Sequence, residues 1–211
     1  MQEKNISKSV IRRLPRYNRF LEELLREGKE KISSRELSER MRLTASQIRQ
    51  DLNCFGGFGQ QGYGYNVAEL RAEIAAILKI NGSPRSVILI GAGNLGRAIA
   101  AHVNFEKYSF KLVGIFDRES SAVGGKIADI TVYHTEKLKS FCTDNSPEMA
   151  ILCIPPDGAK EIVSELITEC NVNAFWNYSH YDIHGDFPEA VVENVHLSDS
   201  LMILSYEMNS Q

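Results

Sequence analysis

No run in this chain is long and apolar enough to span a bilayer, and the polar N-terminus carries no signal-peptide pattern. Both absences point away from a membrane or secreted protein and towards the cytoplasm. Cysteine is scarce: Cys54, Cys142, Cys153 and Cys170 are scattered, with no C-x-x-C pair. That spacing excludes a disulfide framework and a cysteine-based zinc site, so no metal is expected and the thiols read as reduced and structural. A strong net charge is also lacking, at −3, but the balance is uneven. Residues 1–80 carry 15 Lys and Arg against 10 Asp and Glu, a net +5, whereas residues 81–211 carry 9 against 17, a net −8.

At 211 residues, 43% hydrophobic and 24% charged, the chain fits one large or two small globular domains. The charge split favours two domains with different partners, with nucleic acid a candidate for the basic first one. Asn81-Gly82-Ser83-Pro84 marks the boundary, giving domains over 1–80 and 81–211.

The most informative stretch runs from Ser86 to Asp117. Ser86-Val87-Ile88-Leu89-Ile90 reads as a strand buried on both faces. Gly91-Ala92-Gly93-Asn94-Leu95-Gly96 then gives G-x-G-x-x-G, and Arg97 to Val103 has the composition of a helix start. A second apolar run, Leu112 to Phe116, ends in Asp117, which lies 21 residues past Gly96. This is the dinucleotide-binding order. Gly91 permits the tight turn, Gly93 the close approach of a pyrophosphate, and Gly96 the close packing of helix on strand. The helix N-terminus offers N–H groups and positive dipole charge to phosphates. Asp117 can accept from a ribose diol and repel a 2′-phosphate, which favours NAD and NADH, although Arg118 beside it softens the discrimination.

In the first eighty residues, Leu14, Tyr17, Leu21 and Leu24 recur at helical spacing, which predicts a helix over 12–27 with Pro15 in its first turn. Arg12, Arg16 and Arg19 fall on the opposite face. Ser33-Ser34-Arg35-Glu36 and Thr44-Ala45-Ser46-Gln47 are capping-box patterns, each opening a short helix. Ile48 and Leu52 face inward on the second, while Gln47, Arg49, Gln50 and Asn53 stay outside. Two short helices with a tight turn have helix-turn-helix form. Gln and Asn can read adenine and Arg can read guanine. Glycines and aromatics from Gly56 to Tyr65 predict a hairpin wing that includes Gln60 and Gln61, and 67–80 predicts a further helix.

Beyond Asp117, strands are expected near 129–133, 149–154, 174–178 and 191–197, with helices near 136–141 and 159–170. This is a doubly wound α/β sheet. Ile154-Pro155 and Asn177-Tyr178, with Ser179, are expected at the carboxyl ends of strands that line the cofactor crevice. The last segment, 198–208, is amphipathic and needs a surface to cover it.

A winged helix-turn-helix, a linker helix and a GAGNLG Rossmann domain together resemble the Rex family of redox-sensing transcriptional repressors. The likeness covers nearly the whole chain. It rests on Arg13-Leu14-Pro15-x-Tyr17, Ser33-Ser34-x-Glu36-Leu37, Gln47-Ile48-Arg49-x-Asp51-Leu52, the glycine-rich stretch Phe55 to Tyr65, Gly91 to Gly96, Phe116-Asp117 and Val192 to Val195. The resemblance implies a non-enzymatic repressor that binds palindromic operator DNA at a low NADH/NAD⁺ ratio and is released by NADH. It implies a homodimer with a swapped C-terminal helix, DNA contacts that include Arg12, Arg13, Arg16 and Ser46, and a switch contact at Arg19, His102 and His196. Gln50, Gln60 and Gln61 stand where the family has cations. His102 and His196 stand where it has a tyrosine and an aspartate, from which weaker coupling of NADH to DNA is expected.

Two other readings remain open on the residues alone. An NAD-dependent oxidoreductase needs a proton-transfer group, for which His180, His184 or His196 are candidates; Tyr133-x-x-x-Lys137 has a short-chain dehydrogenase spacing but sits too early after the glycine motif and reads as chance. Residues 81–211 leave little room for a substrate pocket. A metabolite-binding module without a DNA role would suit the missing wing cations.

Overall fold

The computed structural model describes residues 6–54, 59–60 and 64–209. The chain falls into two compact units, Met1–Gly82 and Ser83–Gln211. Among the described residues, no helix is long and apolar enough to cross a membrane.

The first unit opens with α1 (Lys8–Arg26), capped by Ser7, whose hydroxyl accepts from the Val10 amide. It buries Val10, Leu14, Tyr17, Leu21 and Leu24 along one stripe. The helix begins earlier than its leucines suggest because Val10 joins that stripe. Pro15 therefore lies inside the helix rather than in its first turn, where its missing N–H leaves one i→i−4 bond unmade. Strand β1 (Lys31–Ile32) follows, then α2 (Ser34–Met41) and α3 (Ala45–Asn53). Ser33 and Glu36 form the full capping box at α2. At α3 only half of it forms: Thr44 accepts from the Gln47 amide, but the Gln47 side chain turns to Asp51 instead. Arg42, left-handed at φ 51°, turns the chain between the two helices. Strands β2 (Gly59–Gln60) and β3 (Gly64–Asn66) pair antiparallel, and β3 pairs antiparallel with β1. Helix α4 (Val67–Ile77) closes the unit, ending before the Lys79 backbone at φ 55°. Its Leu70 and Ile74 join Leu37, Ile48 and Leu52 in one core.

The second unit is a sheet with helices in its crossovers. Its elements are β4 (Arg85–Ile90), α5 (Asn94–His102), β5 (Phe110–Asp117), β6 (Lys126–Ile127), β7 (Ile130–His134), α6 (Leu138–Asn145), β8 (Met149–Leu152), α7 (Ala159–Thr168), β9 (Ala174–Asn177), α8 (Ile183–Asp186), β10 (Val191–Asn194) and α9 (Leu197–Met208). The sheet order is β10-β9-β8-β4-β5-β7-β6, parallel except for the β6–β7 hairpin. Strand β4 is buried from Val87 to Ile90, as a central parallel strand must be. The chain proceeds outward from β4 to β5 on one side and from β8 on the other. The order therefore reverses between β4 and β8, the place where open α/β sheets bind ligands. The terminal segment differs from the rest: α9 buries none of its residues.

Candidate functional site

A cavity of about 530 Å³ opens at that reversal point. Its wall comes from the ends of three strands: Ile90 and Gly91 at the end of β4, Asp117 and Arg118 at the end of β5, and Cys153, Ile154 and Pro155 just past β8. Gly93, Glu119, Thr135, Asp157, Gly158, Glu161 and Ile162 complete it. The glycine loop is built around close contacts. Gly91 has φ +103°, and a Cβ there would lie 2.4 Å from the Cys153 carbonyl oxygen. A Cβ on Gly96 would lie 1.9 Å from the Gly91 oxygen and 3.1 Å from Leu89. Gly93 is the N-cap of α5, has no atom within 4 Å of a built Cβ, and provides no side-chain cap. Open space at Gly93 beside an uncapped helix start fits a phosphate group. Asn94 and Leu95 in the first turn are exposed, while Ala92 and Gly96 are buried in the turn.

Asp117 does two jobs in this loop. Its Oδ2 accepts from the Ala92 amide at 2.6 Å and its Oδ1 from the Glu119 amide at 2.9 Å. The carboxylate thus clamps the glycine turn from the end of β5 and still lines the cavity. Cys153, on the same wall, is pushed up to about 12 by burial and stays a neutral thiol.

Asn177, Tyr178 and Ser179 do not line that cavity. Asn177 is fully buried; its Nδ2 donates to the Tyr181 carbonyl and to Asn194 Oδ1, and its Oδ1 accepts from the Ser179 amide and hydroxyl. These bonds tie the end of β9 to β10, so the residues brace the sheet one strand beyond β8. Tyr178 packs on Trp176, with ring centroids 5.2 Å apart.

In the first unit, Ser46, Arg49, Gln50 and Asn53 are exposed on α3, and Arg12 and Arg19 on α1. Arg49 donates to the Ser34 hydroxyl at 3.2 Å, linking α3 to α2. Arg16 is half-buried, donates to the Met41 carbonyl and lies over the Phe20 ring. Gln60 belongs to β2, and Gln61 lies outside the described residues.

Composition gives no hint of the most densely bonded carboxylate here. Asp51, 1% exposed, receives a two-pronged ion pair from Arg13, at 2.7 and 2.6 Å, the Tyr17 hydroxyl at 3.0 Å and the Gln47 amide at 2.8 Å. Burial pushes the Asp51 carboxyl up, and these donors outweigh it and hold the group below the ordinary range. Arg13 and Tyr17 therefore hold α1 to α3, and Gln47 supports the same carboxylate from within α3. The Gln47–Asp51 spacing of one helical turn was the available signal.

His102 is exposed at the end of α5. His196 precedes α9 and pairs with His180: the two Nδ1 atoms are 2.7 Å apart and the rings stack with centroids 4.6 Å apart. Among the described residues, no group of three or more His, Cys, Asp or Glu is placed to hold a metal.

Known proteins fall into the same two halves. Residues 5–53 match the family described as "Putative DNA-binding protein N-terminus", and residues 82–181 match the CoA binding domain family. The redox-sensing transcriptional repressor Rex of Caldanaerobacter subterraneus subsp. tengcongensis is 52% identical over 206 residues, covering 98% of this chain and 91% of the relative. The Clostridium tetani protein of the same name is 49% identical over 211 residues, covering 100% and 98%. Among solved structures, RSP in complex with NAD⁺ and operator DNA superposes with a TM-score of 0.88 at 50% identity, covering 97% of this chain and 93% of that one. RSP in complex with NADH gives a TM-score of 0.88 at 47% identity, covering 99% and 96%. With identity near one half along the whole length of repressors of one kind, the chain belongs to the Rex family of redox-sensing transcriptional repressors.

Proposed function

We propose that this protein is a cytoplasmic redox-sensing transcriptional repressor. It binds a palindromic operator duplex when the NADH/NAD⁺ ratio is low and is released by NADH. The observation that carries this reading is one chain holding both a helix-turn-helix unit and a dinucleotide cavity, alike along its length to a repressor solved with both ligands. The same likeness argues for a regulator and not an enzyme.

NAD(H) is read as the cofactor. The open space at Gly93 and the uncapped start of α5 suit its pyrophosphate, Asp117 and Arg118 the adenosine ribose, and Ile154 and Pro155 the apolar wall. Helix α3 is read as the recognition helix, presenting Ser46, Gln47, Arg49, Gln50 and Asn53, with Arg12, Arg13 and Arg16 towards phosphates and Gln60 and Gln61 on the wing. The chain is read as a homodimer, because Leu197, Leu201, Leu204 and Met208 of α9 are 50–72% exposed and need a partner surface. Arg19, His102 and His196 are read as the switch positions.

The test is duplex binding by fluorescence anisotropy on a palindromic site, titrated with each cofactor. NADH is expected to release the duplex at concentrations where NAD⁺ does not. Equal release by both, or duplex binding indifferent to both, would remove redox sensing from the account.

A further inference from the structure

We propose that Asp51 is a positioning residue for base recognition: it fixes the side-chain amide of Gln47 and so sets the face that α3 offers to a base edge. This rests on the operator-binding reading above. Asp51 is buried on the inner side of α3, and Gln47 lies one turn earlier on the same helix. A carboxylate can only accept, so the end of the amide that meets it at 2.8 Å has to be the NH₂ end. The Gln47 carbonyl oxygen lies at the other end, and among the described residues it has no hydrogen-bond partner.

A free glutamine on a helix surface can turn its amide over, exchanging donor and acceptor. Gln47 cannot do so without giving Asp51 a carbonyl oxygen in place of a hydrogen. One N–H and one carbonyl oxygen remain unspent, and those are the two groups that adenine N7 and N6 require together. Asp51 is itself held from the other side by the Arg13 guanidinium and the Tyr17 hydroxyl, so the amide is anchored through α3 to α1. Ordering a side chain before binding removes a cost that a free one meets on contact.

The experiment measures affinity for a set of operator duplexes, each with one base pair of both half-sites changed. The native chain is compared with Gln47→Ala, Asp51→Asn and the double variant. Gln47→Ala and Asp51→Asn are expected to flatten the preference at the same base pair, by about fivefold or more. The double variant is expected to flatten it no further, because the two residues act as one unit. A purely structural Asp51 would weaken every duplex equally and leave the base profile intact, and that result overturns the proposal. Should Asp51→Asn not fold, the native chain without DNA still decides by NMR. The Gln47 side-chain amide is expected to exchange with water at least about tenfold more slowly than that of exposed Gln50, as bonding to an ion holds it closed. Equal exchange overturns the proposal. Failure of the native chain to bind any palindromic duplex would instead overturn the operator reading, which the NMR measurement does not touch.

Discussion

The three glycines of the loop are expected to fail in different ways when each receives a methyl group. Gly91→Ala places a Cβ 2.4 Å from a backbone oxygen, at a φ of +103°. The left-handed backbone costs about 1–2 kcal/mol and the overpacking about 1–3 kcal/mol, so the loss is roughly 2–5 kcal/mol. For a unit of this size each kcal/mol lowers Tm by roughly 3–5 °C, so a fall of about 6–25 °C is expected. Gly96→Ala meets the Gly91 oxygen at 1.9 Å and is expected to be at least as damaging. Gly93→Ala meets nothing within 4 Å and has an ordinary φ of −69°. Its cost is that of a poorer N-cap, roughly 1 kcal/mol or less. The space it fills is the space read as belonging to the pyrophosphate, and losing one hydrogen bond to a charged group there costs about 1.5–3 kcal/mol, or roughly 10- to 150-fold in affinity. Thermal unfolding measures the first quantity and calorimetry with NADH the second. A folded Gly93→Ala variant that binds NADH within about twofold of the native chain would refute the assignment of this loop to the pyrophosphate. An unchanged Tm in Gly91→Ala would refute the packing argument.

Three further outcomes are expected. Leu201→Glu with Leu204→Glu places two charges on the exposed apolar face of α9, and light scattering is expected to find monomers where the native chain gives dimers; a dimer in both would place the interface elsewhere. Gln60→Lys with Gln61→Arg is expected to steepen the salt dependence of duplex binding, since each phosphate neutralised adds about 0.9 to the slope; an unchanged slope would show that the wing does not reach the backbone. Lys29 first, then the Ser33 amide and hydroxyl, hold the Glu36 carboxyl down to about 2. Its folded-state value lies below an unfolded value of about 4.3, so its contribution is present above that pH and is lost as pH falls towards 2. Glu36→Gln is therefore expected to reduce the loss of stability between about pH 4.5 and pH 2, measured by unfolding at each pH; a native and a variant curve of identical shape would contradict the contact.

The cofactor half was legible in the sequence wherever its signals are local. The strand, the glycine turn, the helix and Asp117 are written in consecutive residues, and a parallel strand buried on both faces reads as an unbroken apolar run. Ile154 and Pro155 followed from the same rule, as the end of the next inner strand. Asn177 did not. Its partners, Tyr181 and Asn194, are brought to it by the return of the chain into β10, and no spacing announces that pairing. Asp51 was hidden for a similar reason: an acid on a short surface helix reads as solvated until α1 lays Arg13 and Tyr17 over it. The His180–His196 contact likewise depends on the chain folding back after β9. Pro15 was misplaced because the helix start depends on the burial of Val10, which propensity does not weigh.

The central claim is that the cavity beside Gly93 and the face of α3 are two sites of one switch. Such coupling is reciprocal: if NADH weakens the duplex by some factor, the duplex weakens NADH by the same factor. The most direct measurement is the Kd for NADH with and without saturating operator duplex, set beside the Kd for duplex with and without saturating NADH. The account predicts two equal factors of at least about fivefold, the lower end of typical allosteric coupling. An affinity for NADH that does not change when the duplex is bound would contradict it.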